Sequence, residues 1–139
     1  MTRIMGLDVG DKTIGVALSD PMFLIANPLE TIKRKKASLD INRLVELINE
    51  YDIEKIVVGL PKNMNNSIGP QSMKVMSFVD LLKKQTDREI VYQDERMTTL
   101  QSERVLIDMD VRRENRKEHI DKIAASFILQ TYLDGRKNG

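Results

Sequence analysis

Apolar residues fall into three short runs before Lys33. "RIMGLDVG" and "TIGVALSD" are joined by the turn-forming Gly10, Asp11 and Lys12, which predicts a β-hairpin. "FLIANPLETI", after Pro21, extends it to a three-stranded meander. From Ser38 the period changes: Ile41, Leu44, Val45 and Ile48 recur at helical spacing, so a helix with one apolar face follows, with Ser38 or Asp40 as its cap. "KIVVGL", Lys55 to Leu60, is an uninterrupted apolar run of the kind found in a strand covered on both faces. "PKNMNNSIG" breaks the pattern. Pro70 suits the first turn of the next helix, whose buried side is Val75, Phe78, Val79 and Leu82. "REIVYQDER" reads as a further strand, and Thr98 with Gln101 forms a capping box opening a helix to about Asp108. Beyond a charged loop, Ile120, Ile123, Ala124, Phe127 and Thr131 make a last helical face. Ala125, Ile128 and Leu129 make that helix apolar nearly all round, which predicts deep packing with Asp121 in its first turn.

The predicted order is β-β-β-α-β-α-β-α-α, an α/β fold in which a mixed sheet is covered by helices. A chain of 139 residues fits one domain, 1–139, with a single substantial core. Charged residues at 31%, apolar residues at 41% and a net charge of +1 describe a folded chain whose overall charge names no partner. The absence of cysteine excludes a disulfide framework and a thiolate zinc site. No leader pattern and no apolar run near about 18 residues is present, so the expectation is a cytoplasmic protein without a membrane partner. Charge is instead local. "KRKK", Lys33 to Lys36, and "RRENRKEHIDK", Arg112 to Lys122, are either phosphate contacts or solvated loop charges.

Three carboxylates stand where apolar residues belong. Asp8 lies between Leu7 and Val9, where an unpaired anion costs several kcal/mol. It either starts a turn by accepting the Gly10 or Asp11 amide or belongs to a ligand site, with Gly6, Gly10 and Gly15 leaving room for a bulky anion. Glu95, between Asp94 and Arg96, sits at a strand end before a helix start, where α/β sheets bind ligands. Asp121 in a buried helix needs a partner beyond solvent, either the helix dipole, Lys122 or a ligand. One divalent cation accounts for all three, since hard oxygen ligands from separate segments suit Mg²⁺ or Mn²⁺. His119, the only histidine, reads as a surface or cap residue.

"MGLDVGDKTIGVALSD", "IVVGLPKNMNNSIGPQS", "YQDERMTT" and "HIDKIAASFILQTYL" closely resemble, in order and spacing, the YqgF/RuvX family of Holliday-junction-resolvase-like, pre-16S rRNA nucleases. The resemblance spans essentially the whole chain. It implies an RNase H-like fold with a five-stranded sheet in the order 3-2-1-4-5, and a metal-dependent nuclease site on Asp8, Glu95 and Asp121. It also implies processing of the 5′ end of the 16S rRNA precursor in ribosome biogenesis, with cleavage of four-way DNA junctions as an alternative. A third reading is a non-catalytic RNA-binding ribosome-assembly factor. Partners are then structured RNA or branched DNA, with a ribosomal particle, and the chain acts as a monomer or a homodimer. Lys12, Thr13, Arg96, Arg116 and Lys117 are the expected phosphate contacts. Asn63, Asn65 and Asn66 can bond sugar or phosphate oxygens, or simply build a turn. Thr13 stands where the family often has a basic residue, so its expected contribution is a hydrogen bond without long-range charge.

Overall fold

The computed structural model describes residues 1–61 and 69–94 and a helix over 113–138, with side chains of that helix described for 121–136. The helix expected from Thr98 to Asp108 lies outside the described residues. Strands β1 (Arg3–Val9), β2 (Thr13–Ser19) and β3 (Ala26–Lys33) form the antiparallel meander. β4 (Ile53–Leu60) runs parallel to β1, and β5 (Glu89–Asp94) runs parallel to β4. The sheet order is β3-β2-β1-β4-β5, as the resemblance implies. The helices are α1 (Ala37–Glu50), α2 (Pro70–Lys83, with Pro70 in its first turn) and α3 (Arg113–Asn138).

Alternation along each strand sorts the core into two layers, because successive side chains point to opposite faces. Met5, Leu7 and Val9 of β1, Ile14, Val16 and Leu18 of β2, and Ile56, Val58 and Leu60 of β4 pack on one side. There they meet Ile41, Leu44, Leu47 and Ile48 of α1 and Val75, Phe78, Val79 and Leu82 of α2. Ile4, Ala17 and Val57 point the other way, against Ala125, Ile128, Leu129 and Leu133 of α3. The central strands are thus covered on both faces, which is why "KIVVGL" carries no alternation of its own.

Three expectations change. α1 starts at Ala37 with Lys36 at its N-cap and no side-chain cap, so Ser38 and Asp40 lie inside the helix. Asp40 reaches back from the first turn: its carboxylate accepts the Lys35 N–H at 3.1 Å and Arg34 Nε at 3.2 Å. α3 starts at Arg113, eight residues before Asp121, and takes in most of the segment expected as a charged loop. Those residues contain neither Gly nor Pro and are rich in Arg, Lys and Glu, which favour helix. The buried stripe of α3 is also rotated from the one expected: Ala124, Ala125, Ile128, Leu129 and Leu133 are buried, Ile123 and Phe127 are half-buried, and Thr131 is exposed.

The β2–β3 connection is organised by one carboxylate. Asp20 accepts the N–H groups of Met22, Leu24 and Ile25 at 2.7–3.0 Å, and Phe23 sits at φ 60° within that turn. From α3, Gln130 accepts the Ala26 N–H at 2.8 Å and donates to the Leu24 carbonyl at 3.0 Å. Among the described residues, no helix is long and apolar enough to cross a membrane.

Candidate metal and phosphate site

Asp8 is the penultimate residue of β1, at the edge where the parallel strands β1, β4 and β5 end. It pairs directly with Gly15 of β2, and residues opposite each other in an antiparallel ladder share a face. Gly15 shows which face this is. A Cβ built there would lie 1.9 Å from the Asp121 carbonyl oxygen and 2.4 Å from its carbon, so the backbone of α3 rests directly on Gly15. Asp8 and Asp121, far apart in sequence, therefore stand on the same side of the sheet, and both are half-buried.

Gly6 repeats the device one step along the sheet. Its Cβ would meet Leu129 Cβ at 2.7 Å and the Ala125 carbonyl at 2.9 Å. Asp121, Ala125 and Leu129 follow at intervals of four, so one stripe of α3 lies along the two glycines. The space expected at Gly6 and Gly15 for a bulky anion is filled by α3. Gly10 is different: it belongs to the β1–β2 turn, where its N–H donates to the Thr13 carbonyl at 2.9 Å.

Asp121 sits in the third turn of α3, so a first-turn dipole contact does not hold its charge. Its carboxylate Oδ2 instead accepts a hydrogen bond from the Thr13 hydroxyl at the start of β2. A hydroxyl has one proton to donate, and phosphate oxygens only accept. While that bond stands, the Thr13 hydroxyl orients Asp121 rather than donating to phosphate.

Lys12 is exposed at the turn. Its neighbour Asp11 pairs with Lys74 at 3.4 Å, both side chains more than 60% exposed, a geometry that contributes little. Arg34 has a role the charge run does not announce. It donates from Nη1 to the Gly10 carbonyl at 2.8 Å and from Nε to Asp40, and its guanidinium lies 4.9 Å from the centroid of the Phe78 ring. Its backbone N–H donates to the Lys12 carbonyl at 2.9 Å. One side chain thus joins the β1–β2 turn to α1 and α2. The legible clue was Asp40, an acid beside the apolar face of α1, whose side chain is only 3% exposed and must have a cationic partner.

Glu95, Arg96, Asn63, Asn65 and Asn66 lie outside the described residues. Arg116, Lys117 and His119 are on the first turns of α3, and their side chains too lie outside the described part. Among the described residues, no group of three His, Cys, Asp or Glu side chains could hold a metal ion. Asp8 and Asp121 supply two carboxylates on one face with no described sulfur or imidazole beside them, a donor set that fits a hard divalent cation once further oxygens are added.

Known proteins resemble this chain in both sequence and fold. The family model RuvX, described as Holliday junction resolvase, matches residues 2–135. A relative from Thermoanaerobacter pseudethanolicus is 56% identical over 137 residues, covering 98% of this chain and 99% of its own. One from Clostridium tetani is 52% identical over 136 residues, with 98% and 99% covered. Both carry the name "Putative pre-16S rRNA nuclease". Among solved structures, T. thermophilus RuvC in complex with a Holliday junction substrate aligns with a TM-score of 0.64 at 14% identity, over 99% of this chain and 97% of that one. The Fowlpox virus resolvase in complex with Holliday junction DNA gives a TM-score of 0.58 at 16% identity, over 97% and 99%. At such identities the likeness speaks for the fold, which is the RNase H-like fold expected from the sequence. The match over residues 2–135, with relatives more than half identical along nearly their whole length, settles the family: this chain belongs to RuvX.

Proposed function

We propose that this protein is a divalent-metal-dependent endonuclease, a phosphodiester hydrolase that processes the 5′ end of the 16S rRNA precursor in the cytoplasm during ribosome biogenesis. The observation that carries the reading is the placement of Asp8 and Asp121 on one face at the ends of the parallel strands, through a helix seated on Gly15. Relatives at 56% and 52% identity carry a pre-16S rRNA nuclease name, which favours RNA as the substrate.

In this reading Asp8, Asp121 and Glu95 hold the cation, Mg²⁺ or Mn²⁺. When bound, such an ion supplies Lewis-acid stabilisation of charge on the phosphate oxygens and a more acidic water. The protein's own part is positional. Thr13 keeps one Asp121 oxygen oriented, Arg34 fixes the turn that follows Asp8, and Lys12, Arg96, Arg116 and Lys117 hold backbone phosphates while Asn63 and Asn65 bond sugar or phosphate oxygens. With no tryptophan and only three Phe and three Tyr, the surface suits recognition of backbone shape more than base sequence.

The family description favours a second substrate, the four-way DNA junction. The deciding experiment incubates the purified protein with Mg²⁺ or Mn²⁺ on precursor 16S rRNA beside a four-way junction. Metal-dependent cleavage of the RNA is expected, falling by at least about a hundredfold in Asp8→Asn and Asp121→Asn variants that keep the wild-type circular dichroism spectrum. Undiminished cleavage by either variant overturns the site, and preferential junction cleavage transfers the reading to DNA.

A further inference from the structure

We propose that Lys33, Lys35 and Lys36 form a phosphate-binding arm that grips the backbone of the nucleic acid where it passes from the site across β2 and β3. The inference rests on the nucleic-acid reading above and adds to it a contact surface and a direction for the bound strand.

The first observation is register. Lys33 closes β3 directly opposite Thr13, and cross-strand neighbours share a face. Lys33 therefore stands on the face where the Thr13 hydroxyl meets Asp121. The second is that the three lysines are exposed and that, among the described residues, no carboxylate lies within ion-pair distance of any of them. Adjacent unpaired like charges repel one another, and a polyanion relieves that repulsion when it binds.

The third observation concerns the one residue of the run that behaves differently. Arg34 turns inward, to Gly10, Asp40 and Phe78, and its backbone bonds to Lys12. Asp40 in turn holds the Lys35 N–H. The connection carrying the lysines is thereby fixed to the β1–β2 turn, so the charges are displayed at a set position beside the site. Lysine suits this task, because an ammonium is a point charge that tolerates a range of phosphate geometries and reads no sequence.

The test is a salt titration of binding in the presence of a chelator, which separates it from cleavage. The probes are a structured RNA carrying the precursor 16S rRNA 5′ end and a four-way DNA junction. In a Lys33→Gln/Lys35→Gln/Lys36→Gln variant, the slope of log affinity against log salt should fall by about 2 to 3, at roughly 0.7 to 0.9 for each phosphate no longer neutralised. A Lys83→Gln/Lys84→Gln/Arg88→Gln variant removes equal charge at the far end of the sheet, between α2 and β5, and should keep the wild-type slope. A fall confined to the first variant on either probe supports the arm, and the probe that shows it identifies the nucleic acid. An unchanged slope in the first variant, or an equal fall in both, overturns it. Because cleavage is not the readout, a protein that cuts nothing yet shows the fall keeps the arm and loses the nuclease reading.

Discussion

Arg34 and Asp40 show how a buried charge can serve a site it never touches. The Asp40 side chain is 3% exposed and that of Arg34 is 23% exposed, so the pair is screened from water on one side only. Replacing Arg34 with Met keeps much of the bulk over Phe78 but strands the Asp40 carboxylate. Equilibrium urea denaturation of Arg34→Met should show a loss of about 3 kcal/mol, the scale for removing one partner of a buried pair. A second substitution, Asp40→Asn, should return part of it, because the stranded charge is then gone. The sequence exposed the acids and concealed their partners. Asp8 and Asp121 stood out because each interrupts an apolar pattern, whereas Thr13 finds Asp121 across 108 positions, a distance no local pattern spans.

At the scale of elements, the strands and the first two helices were legible as apolar runs between turn residues or as a helical period. The start of α3 was not: its first residues are rich in charge without an apolar period, which reads as loop although the same residue types favour helix. The glycines were misread for a related reason. A missing side chain marks close approach without saying what approaches, and at Gly6 and Gly15 it is α3. Gly15→Ala should destabilise by at least about 3 kcal/mol, at the upper end for overpacking, since a backbone carbonyl at 1.9 Å cannot step aside as a side chain does. Thermal unfolding measures it. The β2–β3 turn offers a test in pH. Hydrogen bonds from Ile25 first, then Leu24 and Met22, outweigh burial and hold the Asp20 carboxyl below its usual 3.8. A depressed folded-state value means the stabilisation is present above pH 3.8 and is lost as pH falls through the lower value. Asp20→Asn should therefore lower the melting temperature at neutral pH, and the gap to wild type should close below about pH 3.8.

For the whole molecule, the two layers divide the work. The α1–α2 side holds most of the core, while the α3 side carries the carboxylates on a thinner apolar seam. Sheet order and topology followed from the resemblance, and the element order read from periodicity agrees with them. The seat of Asp121 on Gly15 has a consequence in time. Strands β1 and β2 are made early in synthesis, but the second carboxylate arrives only after more than a hundred further residues have been added. On the proposed reading, a nascent chain that has already paired its first hairpin holds Asp8 without Asp121, and the two carboxylates share a face only once α3 docks on Gly15. The proposed site is thus completed only when translation of the chain is nearly done.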